Sequence, residues 1–163
     1  MPPTITPERP DTPDAVALIT ELDDHLGSRY PAESRHGFSV QKLIRDNVAF
    51  FVVRVNDADN AAAPLAVGCG GIMLVPRTPS DIPYAEVKRM YVRPAHRGQG
   101  LSKLMLHHLA DHAAAHGFRT LRLETGIHQL EAIALYERFG FQRTGPFGPY
   151  TNDPLSLYFE KQL

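Results

Sequence analysis

Apolar positions along the chain follow two rhythms, and the places where the rhythm changes mark its elements. Val16, Ile19, Leu22 and Leu26 recur at intervals of three and four, the spacing of one helix face. Thr12, Pro13 and Asp14 supply a start for that helix: a hydroxyl cap, a proline at the first position and an acid near the positive end. Gly27 supplies a stop, so a helix is predicted over residues 12–27. A short edge strand precedes it over 4–9, limited by Pro7. After an irregular stretch at 28–37, a second short helix is predicted over 39–46. Continuous apolar runs at 48–55 and 65–75 are of strand type, and the polar 56–64 between them makes a hairpin. Gly68, Gly70 and Gly71 weaken the second run and signal a bulge or a close approach of backbone.

Residues 86–92 form a further strand, rich in β-branched and aromatic residues and ended by Pro94. A long helix starts near Leu101 and stops at Gly117. Residues 120–124 alternate as a strand, and 129–139 form a helix with Ile133, Tyr136 and Phe139 along one face and Gly140 as its cap. A strand at 141–144, a proline- and glycine-rich loop at 145–154 and a last strand at 155–160 complete the chain. The order β-α-α-β-β-β-α-β-α-β-β predicts an α/β (α+β) fold, antiparallel in its first half, with a crossover helix joining two parallel strands. At 163 residues, a single domain over 1–163 is expected.

Composition narrows the class. With 17 basic and 18 acidic residues the net charge is −1, so no overall field favours nucleic acid or an anionic membrane. The lone cysteine, Cys69, allows no internal disulfide, fits a reducing compartment and suits a small buried apolar role better than a nucleophilic one. No apolar run approaches the ~20 residues that span a bilayer, and the proline-rich, acidic start does not look like a secretory signal. A cytoplasmic protein is expected.

The segment 85–117 carries the chemistry. Gly98 and Gly100 lie between a strand and a helix, where free N–H groups and the helix dipole together favour phosphate. A P-loop is excluded, because Leu101 rather than Lys follows the second glycine. A dinucleotide fingerprint lacks its third glycine and its acid. The run Arg97, Gly98, Gln99, Gly100, Leu101 and Ser102 instead resembles the R-x-x-G-x-A/G pyrophosphate loop of the GCN5-related N-acetyltransferases, with Ser102 where Gly or Ala is usual. Gln129, Ala132, Tyr136, Gly140 and Phe141 resemble that family's N-x-x-A-x-x-x-Y-x-x-x-G-F signature, with Gln129 in place of asparagine. Motif-level resemblance covers roughly 85–141.

That resemblance implies a twisted, mixed but mostly antiparallel sheet of about seven strands flanked by about four helices. It implies direct transfer of acetyl from acetyl-CoA to a primary amine of a small metabolite or amino-acid-like acceptor, with no covalent enzyme intermediate and no metal. Backbone N–H groups of Gln99, Gly100, Leu101 and Ser102 would hold pyrophosphate. Arg97 either adds charge there or is a solvated side chain at the turn. Backbone of Met90, Tyr91 and Val92 would align the pantetheine arm, with a contact from the Gln129 amide. An ammonium with pKa near ~10 needs its proton removed, and Glu86 is the candidate base. Strand alternation places Glu86, Lys88 and Met90 on one face, and the alternative is a solvated Glu86–Lys88 pair. Tyr136 is the candidate acid for the departing thiolate, although periodicity alone reads it as an aromatic packed on the sheet. Tyr30, Glu33, Ser34 and His36 in the early irregular stretch, and Phe147, Tyr150, Asn152 and Asp153 in the late loop, would flank the acceptor; Tyr30, Ser34, His36 and Tyr150 are the binding candidates.

Other readings stay open on the sequence. A non-catalytic acyl-CoA sensor would keep the glycine loop and dispense with Glu86 and Tyr136, and a longer acyl group is equally compatible. A homodimer is also allowed, since dimers are common in the family. His108, His112 and His116 recur every four residues, but without an H-E-x-x-H pattern and among Leu101, Leu104, Met105 and Leu109 they are rim histidines rather than metal ligands.

Overall fold

The Thr12 hydroxyl accepts the Ala15 N–H at 3.3 Å and so starts the first helix where the sequence predicts it. The computed structural model describes residues 2–60 and 62–163. Its elements are β1 (Thr4–Pro7), α1 (Pro13–Gly27), α2 (Val40–Arg45), β2 (Ala49–Val55), β3 (Leu65–Val75), β4 (Tyr84–Val92), α3 (Leu101–Ala115), β5 (Thr120–Gly126), α4 (Leu130–Phe139), β6 (Gln142–Thr144) and β7 (Ser156–Gln162). Short 3₁₀ turns at Ala32–Ser34 and Pro94–His96 add to the expected order without changing it. The strand ends move by one or two residues. β1 stops at Pro7, β4 begins two residues before the predicted start, and β7 runs on to Gln162 because Gln162 pairs with Thr120 of β5.

The seven strands lie in the order β1-β2-β3-β4-β5-β7-β6, and only β4 and β5 run parallel. α3 and α4 cover one face, burying Leu101, Met105, Leu106 and Leu109 against Val87, Leu121, Leu123 and Phe159. α1 and α2 cover the other, with Leu18, Ile19, Leu22 and Leu43 against Phe50, Val52 and Cys69. The period predicted for α1 is correct but its phase is not. The buried stripe is Ala15, Leu18, Ile19 and Leu22, and Val16 is exposed. Leu104 on α3 is exposed as well, one position off the stripe that meets the sheet.

Two irregularities in the centre of the sheet position everything that follows. First, β4 and β5 pair only at Ala85–Leu121 and Glu86–Arg122, and then separate. Second, β4 carries one residue more than β3 between the pairs Lys88–Gly71 and Tyr91–Cys69, a bulge at which Arg89 takes φ +57°. The bulge reverses the alternation. Glu86 and Lys88 share the α1 face as expected, but Met90 turns to the α3 face with Val87, and Tyr91 joins Cys69 below α1. The expectation that Met90 shares a face with Glu86 is therefore corrected. Gly70 of β3 lies opposite this point, where an added Cβ would stand 2.8 Å from Met105 and 2.9 Å from Met90. That close approach is what the glycines of β3 signal.

Candidate active site

Beyond β4 the chain turns through the 3₁₀ segment and the glycine loop into α3. Gly98 and Gly100 both have φ +78°, a conformation that glycine adopts without penalty, and an added Cβ at either would meet nothing within 4 Å. Among the described residues, the N–H groups of Gly98, Gln99, Gly100, Leu101 and Ser102 donate to no protein acceptor. Five free donors at the N-terminus of a 15-residue helix form a ready anion site. Arg97 is not simply solvated. Its Nε donates to the Val92 carbonyl at 2.8 Å and its guanidinium lies over Tyr91, which ties the loop back to the end of β4. The Val92 carbonyl is thereby engaged.

From this loop a groove of about 1600 Å³ runs between α3 and α4 to the place where β4 and β5 part. A smaller cleft of about 120 Å³ enters the same opening from the other side. Leu22, Met90, Gln129, Ala132 and Tyr136 line both, so the two spaces meet there. Gln129 caps α4 without a side-chain bond to the helix, and its Oε1 lies 3.5 Å from the Tyr30 hydroxyl.

Tyr136 is 6% exposed, packed against Phe141 and Phe159, and its hydroxyl has no hydrogen-bond partner among the described residues. Burial, aided by the negative charge of Glu124, pushes its proton affinity well above that of an ordinary phenol. The packed-aromatic reading and the functional one hold together here, because the packed ring delivers the hydroxyl to the junction.

Four of the expected acceptor residues, Tyr30, Ser34, His36 and Tyr150, line the smaller cleft together with Glu86 and Lys88. The Tyr30 hydroxyl accepts the His128 N–H at 2.9 Å, which fastens the early loop to the β5–α4 turn. Asp153 accepts from Ser34 Oγ at 3.3 Å and pairs with His36 Nε2 at 3.0 Å, joining loops 117 residues apart in sequence. The Leu155 N–H, with His36 and Ser34, holds the Asp153 carboxyl below the usual range. Glu86 and Lys88 are not a solvated pair. They are 1% and 6% exposed, with Lys88 Nζ 2.9 Å from Glu86 Oε2. The Tyr150 hydroxyl accepts from Lys88 at 2.8 Å and donates to Glu86 at 2.6 Å. Burial lowers the proton affinity of Lys88, against the opposing pull of Glu86.

Sequence reasoning missed Glu124. It sits on β5 inside the cleft, receives Ser156 Oγ at 2.7 Å and has no cationic partner among the described residues. Burial raises its pKa, while the Ser156 hydroxyl and the nearby His36 and Lys88 pull it back. The signal available was Arg122 and Glu124 alternating with Leu121 and Leu123 in a strand that topology places inside the sheet.

The remaining candidates resolve differently. His108 and His112 meet Phe51 edge-on, and His112 stacks near His116. Among the described residues, no three His, Cys, Asp or Glu side chains cluster as a metal site. Cys69 is fully buried, and burial pushes its thiol up to about 12, far from a reactive thiolate. Among the described residues, no helix is long and apolar enough to cross a membrane.

Known proteins resemble this chain in sequence and fold. Residues 17–141 match the acetyltransferase (GNAT) family model. Over 160 residues the chain is 43% identical to an IAA acetyltransferase of Azospirillum brasilense, covering 98% of this chain and 97% of that protein. A solved protein of Klebsiella pneumoniae, assigned as an acyl-CoA N-acyltransferase, is 36% identical with a TM-score of 0.74, covering 99% of this chain and 97% of that one. A GNAT-family acetyltransferase from Elizabethkingia anophelis, solved with acetyl-CoA bound, shares the fold at 17% identity with a TM-score of 0.67, covering 99% and 98%.

Proposed function

Because the chain belongs to the GNAT acetyltransferase family, we propose that it transfers the acetyl group of acetyl-CoA to the primary amine of a small acceptor. The observation that carries this reading is the meeting of the groove and the cleft at Met90 and Tyr136. A long groove ending on free backbone donors suits a nucleotide thioester, and a small charged cleft suits an amine. The relative named as an IAA acetyltransferase supports a small acceptor. So does the cleft's volume of about 120 Å³, roughly ten water-sized positions.

Acetyl-CoA supplies the activated acyl carbon. The N–H groups of Gln99, Gly100, Leu101 and Ser102 hold its pyrophosphate, with Gly98 and Arg97 shaping the loop. The freed edge of β4 at Met90, Tyr91 and Val92 guides the pantetheine arm, and Gln129 flanks it. Tyr30, Ser34, His36 and Tyr150 enclose the acceptor. Glu124, unpaired and with its proton affinity raised, takes the proton from the ammonium. Glu86, bound to Lys88 and Tyr150, is the second carboxylate in reach. The amine nitrogen then bonds to the acyl carbon, the carbon–sulfur bond breaks, and the Tyr136 hydroxyl gives its proton to the departing sulfur, whose thiol pKa near ~8.5 asks for modest help. The second proton that the nitrogen sheds as the amide forms restores the Tyr136 hydroxyl.

Thiol release from acetyl-CoA, measured across a panel of small amines, tests the reading. We expect release with at least one acceptor, and a fall in kcat of about tenfold to a hundredfold in Tyr136→Phe with coenzyme binding unchanged. Because that hydroxyl has no protein partner, its removal should leave the melting temperature nearly unmoved. Binding of acetyl-CoA without turnover on any acceptor would point to a sensor instead.

A further inference from the structure

Arg89 is used nowhere in the chemistry above, yet it is the most constrained side chain around the cleft. It stands at the β4 bulge with φ +57°, a conformation that a non-glycine residue keeps only where the surrounding structure over-determines it. The bulge aims its side chain along the cleft wall. Arg89 is 7% exposed, and its Nε is buried with no hydrogen-bond partner, the sole such side-chain atom among the described residues. Its one carboxylate partner, Asp23, meets Nη2 alone and is itself more than half exposed. Above it, Gly37 of the early loop leaves room that a Cβ would fill, since that atom would fall 2.0 Å from Arg89 Nη1.

Of the other basic groups of the cleft, Lys88 is held by Glu86 and His36 by Asp153, while Arg35 is exposed. The Arg89 guanidinium therefore keeps donors in hand, in the fork geometry that matches a carboxylate. Besides His36, three basic side chains (Arg35, Lys88, Arg89) and two acids (Glu86, Glu124) line the cleft, so a ligand that carries both an ammonium and a carboxylate meets a counter-charge for each.

We propose that the acceptor is an amino acid, bearing a carboxylate beside its amine, and that Arg89 holds that carboxylate. The inference rests on the acetyl-transfer reading and adds the acceptor's second charged group. With the amine directed to Glu124 and the carboxylate to Arg89, the acceptor spans the cleft from β5 to β4. Arg89 is then the residue that separates amino acids from simple amines.

The test compares thiol release with a set of free amino acids against their carboxamides, under saturating acetyl-CoA. We expect the best amino acid to exceed its amide at least tenfold in kcat/KM, and Arg89→Gln to erase that preference mainly through KM. Asp23→Asn, which removes the carboxylate partner but keeps the guanidinium, should retain the preference; a merely structural Arg89 would make the two variants behave alike. If Arg89→Gln does not fold, Gly37→Ala, which crowds the guanidinium from the loop side, takes its place. Amides that serve as well as acids in the unmodified protein overturn the proposal and leave acetyl transfer standing. An acid preference untouched by the Arg89 or Gly37 change overturns the role of Arg89. No release from any amine overturns both readings together.

Discussion

Glu124 and Tyr136 line the same cleft with their proton affinities raised for the same reason, burial, and with opposite consequences. The phenol keeps its proton through the neutral range and can give it. The carboxyl, raised from a low starting point, can take one. The sign of the pH dependence follows. The reactive form of Glu124 is the ionised one, so kcat/KM should climb as pH rises through its elevated pKa. In Glu124→Gln that limb should vanish, leaving a slower rate that climbs only toward the acceptor's own ammonium pKa near ~10. A pH–rate profile of both proteins checks it, and an unchanged acid limb in the variant would assign the proton to another group. Tyr136 was legible in the sequence because a fixed spacing to Gly140 and Phe141 surrounds it. Glu124 was not, because a carboxylate alternating with leucines looks like the wet side of an ordinary strand. Only the position of β5 between β4 and β7 makes that side the wall of a cleft.

At the scale of elements, caps and periodicity gave the order of all eleven regular helices and strands, because Thr12, Ser39 and Gly140 signal their local geometry regardless of tertiary context. Phases and ends were less legible. Which helix face is buried at Val16, and how far β7 continues, depend on partners that local sequence does not name. The β4 bulge left no mark in β4 itself, since Lys88, Arg89 and Met90 include no glycine or turn residue; its signal lay in the glycines of β3 opposite. Within β4 the Glu86–Lys88 pair is buried on a central strand, where an ion pair is costly unless both partners remain. Lys88→Met should therefore lower unfolding stability by about 3–5 kcal/mol in a urea titration, by stranding the Glu86 charge. A loss below about 1 kcal/mol would mean that the pair contributes little to the fold.

The whole molecule brings together segments that no local rule connects. The early loop and the late loop meet across the parted strands, and Asp153 holds them through Ser34 and His36. In Asp153→Ala the two loops should loosen over the cleft while the groove on the far side is untouched. KM for the acceptor should then rise several-fold with acetyl-CoA affinity constant, which steady-state kinetics and calorimetry read separately. An equal change in both would show that the loops support the groove as well. The same division of labour gives the bulge at Arg89 a meaning beyond geometry. It works as a punctuation mark in β4: before it the even-numbered side chains belong to the acceptor side, and after it the odd-numbered ones do. Straighten that bulge with every residue kept and the sentence parses the other way. Tyr91 would be driven among the leucines of α3 and Met90 under α1, and the wall shared by the two clefts would be spelled with the wrong letters on each side.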